Sequence, residues 1–204
     1  MRQFIPDARI EARSAELWRR FSLEPGFDIE ALLDGLELGL SWEAIDDADG
    51  EGDVLGQILP GQRLVVLNEN HIDRLEARER AQLRFTVGHE VGHWFFHVPE
   101  GFGSSSLFDG ERVLGRDGSP ASIERQAECF SAALLIARDP LRAALPTAPW
   151  SGWGPIRALA EQFAVSTTAM QIRLERLGWM HQGPNGAPHS GPAQSPGQDS
   201  LFQA

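Results

Sequence analysis

The sequence predicts an α+β protein: a small antiparallel or mixed sheet of about three strands packed on one long helix, in a chain that is mostly helical otherwise. Three observations point there. Residues 54–59 and 63–68 are strand-like runs joined by Pro60-Gly61. The stretch from Ile72 to His97, charged at first and then apolar, has the length of a long helix. From Pro120 onward, apolar residues recur at helical spacing. Residues 1–148 read as the main domain and 149–181 as a helix-turn-helix-like pair packed on it. The tail, 182–204, reads as disordered, since it is rich in Pro, Gly, Ser and Gln.

Each element has a local reason. Ile10, Leu17, Trp18 and Phe21 give a first helix over 7–21, broken at Glu24-Pro25-Gly26. Asp28 is placed to cap a short helix through Leu33 and Leu36. Leu40, Trp42 and Ile45 suggest a strand, followed by an acidic turn over 46–50. That turn lacks the spacing and closing Glu of a calcium-binding loop and reads as solvated. Residues 99–118 are Gly- and Ser-rich without periodicity. Ser119-Pro120 then opens a helix expected to reach Arg138 and stop before Pro140. Two short helices follow, over 155–163 and 166–177, with Ser166 at the second N-cap.

Composition removes several function classes. All 18 basic residues are Arg, and the chain has neither Lys nor Tyr, so chemistry that needs either is excluded. Cys129 is the only cysteine, which excludes an internal disulfide and multi-cysteine metal sites. The net charge of −11 argues against a life on nucleic acid or anionic membrane. No apolar run reaches membrane-spanning length and the N-terminus carries no signal-peptide core, so the expected location is the cytoplasm.

The segment 84–93 holds the chemistry: Arg84-Phe85-Thr86-Val87-Gly88-His89-Glu90-Val91-Gly92-His93 contains H-E-x-x-H. On a helix, His89 and His93 lie one turn apart on one face and can direct two imidazoles at one ion. Glu90, beside the first, can reach a metal-bound water and act as general base. An alternative is a charged helix with two surface histidines. Val87, Val91, Trp94 and Phe95 make that a poor fit, because they mark the stretch as buried.

Catalytic zinc usually takes three protein ligands and a water. His97 continues the spacing, but three ligands stacked along one straight helix do not close around a tetrahedral ion, and it reads as a core or helix-end histidine. Glu124 and Glu128, one turn apart on the next helix, are the other candidates: one as the third ligand, the other orienting a ligand histidine.

The stretch from Arg84 to His97, followed by Glu124-Arg125-Gln126-Ala127-Glu128-Cys129-Phe130-Ser131-Ala132-Ala133-Leu134-Leu135, resembles the ImmA/IrrE metallopeptidase family, with its RFTxAHELGHxxxH-like and ExxANxFAAxLLMP-like helices. The likeness extends over roughly residues 5–180. It implies a zincin-like fold, Zn²⁺ (or Mn²⁺) held by His89, His93 and Glu124, Glu90 as base, and Glu128 in the layer behind. Two departures stand out: Glu128 replaces the usual Asn, and Ile136-Ala137 replaces the usual Met-Pro. The resemblance further implies a protein substrate, a helix-turn-helix repressor whose cleavage switches on mobile-element or stress genes. Substrate is expected to add as a strand along the 63–68 edge. The competing reading is a non-catalytic, antitoxin-like regulator that binds a repressor and carries a structural metal.

Three weaker signals remain. The 156–169 segment resembles a helix-turn-helix, but Arg157, Arg173 and Arg176 against Glu161 and Glu175 leave it barely basic; direct DNA binding is not expected. Cys129 reads as a small buried hydrophobe. The terminal Gln198, Leu201 and Phe202 are similar to the short peptides that dock bacterial proteins on the sliding clamp.

Overall fold

The fold was taken from a computed structural model, which describes residues 5–46, 53–98 and 120–192. Residues 47–50 of the acidic turn, the 99–119 stretch with Ser119, and Gln198, Leu201 and Phe202 lie outside the described residues.

Helix α1 (Asp7–Arg20) buries Ile10, Ser14, Leu17 and Trp18 on one face. Two polar atoms on that face are satisfied by the helix it packs on: Ser14 Oγ donates to the Ala133 carbonyl at 2.7 Å and Trp18 Nε1 to the Leu134 carbonyl at 2.7 Å. Asp28 caps α2 (Ile29–Gly35) through the Glu30 N–H, as the sequence suggests.

Strands β1 (Gly39–Glu43), β2 (Gly56–Leu59) and β3 (Leu64–Asn68) form a mixed sheet in the order β1-β3-β2. The β2–β3 pair is the hairpin expected around Pro60-Gly61, closed by a 3₁₀ turn over Pro60–Gln62. β1 joins β3 in parallel. β3 is therefore the central strand, fully buried from Val65 to Asn68, and both its edges are used. This corrects the expectation of substrate pairing along 63–68: among the described residues that strand offers no open edge. Asn68, itself buried, donates to the carbonyls of Ile45 at 2.8 Å and Val54 at 2.7 Å and accepts from the Ile45 and Asn70 amides. One side chain thus ties the end of β1, the approach to β2 and the turn into the next helix.

That helix, α3 (Ile72–Phe96), crosses α4 (Pro120–Leu135) through small residues. A Cβ at Gly92 would sit 3.1 Å from the Ala127 Cα, and one at Gly88 would sit 2.7 Å from Ser131 Oγ. Ser131 Oγ in turn donates to the Phe85 carbonyl at 2.8 Å, fixing the crossing. Glycine is needed at 88 and 92 for this approach, not for backbone conformation.

Two expectations need correction after α4. The helix ends at Leu135 rather than Arg138, and α5 (Arg138–Ala144) runs through Pro140. Pro140 falls in the first turn of α5, where its missing N–H has no helical partner to lose. The chain is also ordered beyond residue 182: β4 (Met180–Gln182) and β5 (Pro188–Ser190) form an antiparallel hairpin. Its turn uses Asn185-Gly186, with Gly186 at φ 73° and the Gly186 amide donating to the Gly183 carbonyl at 2.9 Å. Asn-Gly is a hairpin signal that the Pro- and Gly-rich composition hid.

The helical pair, α6 (Trp153–Gln162) and α7 (Thr167–Arg176), has Ser166 at the α7 N-cap, accepting from the Ala169 amide at 3.1 Å. Arg173 is 5% exposed; it donates Nε to the Ile136 carbonyl at 2.9 Å and both terminal nitrogens to the Glu11 carboxylate at 2.5 and 2.8 Å. Arg176 lies 3.1 Å from Cys129 Sγ and 3.6 Å from Asp7. Two of the three arginines of this segment thus face α1 and α4. Among the described residues, no helix is long and apolar enough to cross a membrane.

Candidate metal centre

The close α3–α4 crossing brings one turn of each helix together. His89 and His93 project from α3, and their Nε2 atoms lie 2.9 Å apart. Glu124, on α4, places Oε2 3.0 Å from His89 Nε2 and Oε1 3.5 Å from His93 Nε2. One ligand atom from each of the three residues falls within a 4.8 Å cluster, an arrangement that could hold a metal ion. The histidines are largely buried, whereas Glu124 is about half exposed (54%), so the cluster opens to solvent on the α4 side.

The electrostatics suit a cation. Burial pulls the His89 pKa down, but the Glu124 hydrogen bond and the charges of Glu90, Glu124 and Glu128 outweigh it, and the net direction is upward. Burial pushes the Glu124 carboxyl up, and its contacts with His89 and His93 more than reverse this, holding it well below the usual carboxylate range. Two imidazole nitrogens and a carboxylate facing one point need a proton or a cation between them. Tetrahedral zinc, with Zn–N near 2.0–2.1 Å, would set the two nitrogens about 3.3 Å apart. The observed 2.9 Å therefore needs only a few tenths of an ångström of widening. The donor set fits a first-row divalent ion.

Glu90 is 6% exposed, one residue along α3 from His89. Burial raises its pKa most; the facing His89 and His93 work against that, and the Ile58 backbone N–H, which donates to its carboxylate, lowers it further, but the net direction is upward. The source of that N–H matters. The Asn68 amide donates to the Leu55 carbonyl at 3.0 Å, and the register pairs Gly56 with Leu67 and Ile58 with Val65. In an antiparallel ladder alternate residues turn inward, so Gln57 and Leu59 bond to β3 while Gly56 and Ile58 point their N–H and C=O groups outward. The outer edge of β2 thus runs beside Glu90. The sequence reading placed the edge on the wrong strand of the right hairpin.

Glu128 is not where the sequence reading put it. It is exposed and acts on His89 through its charge, without a hydrogen bond to His89 or His93. The contact behind His93 comes instead from His97, whose Nδ1 is 2.9 Å from His93 Nδ1. His97 is 7% exposed at the end of α3, so the expectation of a buried helix-end residue holds, and it faces the side of the His93 ring away from the cluster. Its spacing of eight from His89 was the available signal, though not for this role. Sequence reasoning also missed Gly88, Gly92 and Ser131, whose part is to let α4 approach. Their spacing of four beside H-E-x-x-H was readable.

The model of the IrrE N-terminal-like domain, the M78 peptidases, matches residues 47–175, which include both helices of the centre. The chain belongs to this family. The M78 match makes it a member of a metallopeptidase family and agrees with the mixed sheet and helical surround. No curated protein sequence matches it. A solved structure of a Mycobacterium tuberculosis transcriptional regulator is similar, with a TM-score of 0.53 and 16% identity over 90% of this chain and 49% of that one. The chain thus spans about half of that structure, and the likeness is one of fold.

Proposed function

We propose that the protein is a zinc-dependent endopeptidase that cleaves a helix-turn-helix transcriptional repressor or a similar regulatory protein in the cytoplasm. The observation that carries this reading is a buried carboxylate, Glu90, between a strand edge left open among the described residues and a cluster of two imidazoles and a carboxylate. A structural ion needs the cluster but not the buried base, so Glu90 favours hydrolysis over the repressor-binding alternative. The choice of substrate rests on the family resemblance.

His89, His93 and Glu124 would hold the ion, with Mn²⁺ the alternative to Zn²⁺. Such an ion supplies a Lewis acid and lowers the pKa of water toward ~7. The chain's own residues do the rest. An extended substrate pairs with the outward N–H and C=O of Gly56 and the outward C=O of Ile58, whose N–H Glu90 already engages, and this sets the scissile bond beside α3. Glu90 takes a proton from the attacking water on its carboxylate and returns it to the leaving amine. The upward shift caused by burial suits a group that must hold the proton briefly and release it.

Glu90→Gln keeps the shape of the site and removes the base. Incubated with a repressor substrate, it should cleave about 10²–10⁴-fold more slowly than wild type while binding metal equally well. Wild type treated with chelator should also fail. Cleavage by Glu90→Gln at the wild-type rate would refute the mechanism.

A further inference from the structure

We propose that His97 is a positioning residue for the metal centre: it accepts the Nδ1–H of His93 and so fixes His93 in the tautomer whose Nε2 lone pair faces Glu124 and His89. This inference rests on the metal-centre reading above and adds the residue that orients one of its ligands.

The cluster is built from His93 Nε2, which lies 2.9 Å from His89 Nε2 and 3.5 Å from Glu124. A neutral imidazole carries its proton on one nitrogen and a lone pair on the other. To present a lone pair at Nε2, His93 must carry its proton at Nδ1, where a partner has to accept it. The atom there is His97 Nδ1, at 2.9 Å. His97 accepts at Nδ1 only if its own proton is on Nε2, and Nε2 faces Gln126 Oε1 at 3.4 Å. The Gln126 amide is held the right way round by donating its nitrogen to Ser122 Oγ at 3.3 Å. With both rings in these tautomers, the links run His93 to His97 to Gln126 to Ser122 in one consistent direction.

The chain is also held in place mechanically. His97 and Gln126 are 7% and 8% exposed. The His97 amide donates to the His93 carbonyl at 2.8 Å, which keeps the helical turn and sets the two rings side by side, tilted at 56° with centroids 4.9 Å apart. This geometry also rules His97 out as a ligand to the same ion, because the His93 ring lies between it and the cluster. Histidine ligands commonly lean on a carboxylate or a backbone carbonyl; here the acceptor is an imidazole supplied by the same helix.

The test is Zn²⁺ affinity, measured by competition with a chromophoric chelator, on wild type, His97→Phe, His97→Asn and Glu124→Ala. Phe keeps the bulk and removes the acceptor; the Asn side-chain oxygen can stand in for Nδ1. His97→Phe should bind Zn²⁺ about 10–100-fold more weakly and His97→Asn within about threefold of wild type. Thermal melting of the metal-free proteins checks that each variant is folded. Nitrogen NMR of zinc-loaded wild type gives a readout that needs no variant: His93 should be protonated at Nδ1 and metal-bound at Nε2. Wild-type affinity in His97→Phe, or a proton on His93 Nε2, would overturn the proposal even if Glu124→Ala loses the metal. A wild type that binds no Zn²⁺ would overturn the metal-centre reading, and this inference with it.

Discussion

At the scale of single residues, the contact between His89 and Glu124 has a pH signature in the metal-free protein. His89 is raised above its ordinary 6.5 despite burial, so its contribution to stability is complete below about pH 6.5 and fades as pH rises through the folded value. Glu124 is held below its ordinary 4.5 by the two histidines, against burial, so its contribution is complete above about pH 4.5 and fades as pH falls through the folded value. The stability lost in Glu124→Gln relative to wild type should therefore be greatest between pH 4.5 and 6.5. The difference should be small, since Glu124 is half exposed and screened by solvent. Thermal melts in chelator across that range read it. A difference that grows steadily above pH 8 would contradict this account. His89 and His93 were legible at this scale, because one helical turn relates them. Glu124 was not separable from Glu128 by spacing alone: both face the same way, and the family resemblance was needed to choose. The structure adds a physical difference: Glu124 meets both histidines, whereas Glu128 makes no hydrogen bond with either.

At the scale of elements, the cluster forms because small residues let α3 and α4 approach closely. Gly92→Ala would push a Cβ to within 3.1 Å of the Ala127 Cα and 3.2 Å of its carbonyl oxygen. Backbone cannot rotate away as a side chain can, so the helices must separate. Overpacking of this kind costs about 1–3 kcal/mol. Because Glu124 rides on α4, the same variant should also bind metal more weakly, which chelator competition and a denaturant titration can show together. Loss of stability with unchanged metal affinity would mean that the crossing does not set the ligand geometry. The strand order is where local patterns failed. The β2–β3 hairpin is local and was readable from Pro60-Gly61. The parallel pairing of β1 with β3 is a long-range choice, and among the described residues it leaves the outer edges of the sheet to β1 and β2. The β4–β5 hairpin failed for the opposite reason: its Asn185-Gly186 turn was averaged into a Pro- and Gly-rich tail.

At the scale of the whole molecule, the helix-turn-helix-like pair is bound to the rest of the protein by buried charge. Arg173 joins α7 to Glu11 on α1 and to the Ile136 carbonyl just after α4. Arg173→Leu should destabilise the protein by about 2–3 kcal/mol, because it leaves a partly buried carboxylate and a carbonyl without partners. If the pair folds as one unit with the sheet and α3, a denaturant titration of this variant will show one transition with a lower midpoint and an unchanged slope. Two separate transitions would show instead that 149–181 is an independent domain. The weak basic charge of this segment hinted at packing over DNA contact; the ion pairs that explain it span more than 160 residues of chain, and no local pattern reports them.

The central claim is that α3 and α4 together hold a catalytic metal, and metal content tests it most directly. Purified wild type and Glu124→Ala would be compared by elemental analysis after zinc loading and removal of free ion. The account predicts about one zinc per chain in wild type, as for three-ligand catalytic sites, and its loss or marked weakening in the variant. A wild type that retains no metal, or a Glu124→Ala variant that retains it as tightly, would contradict the account.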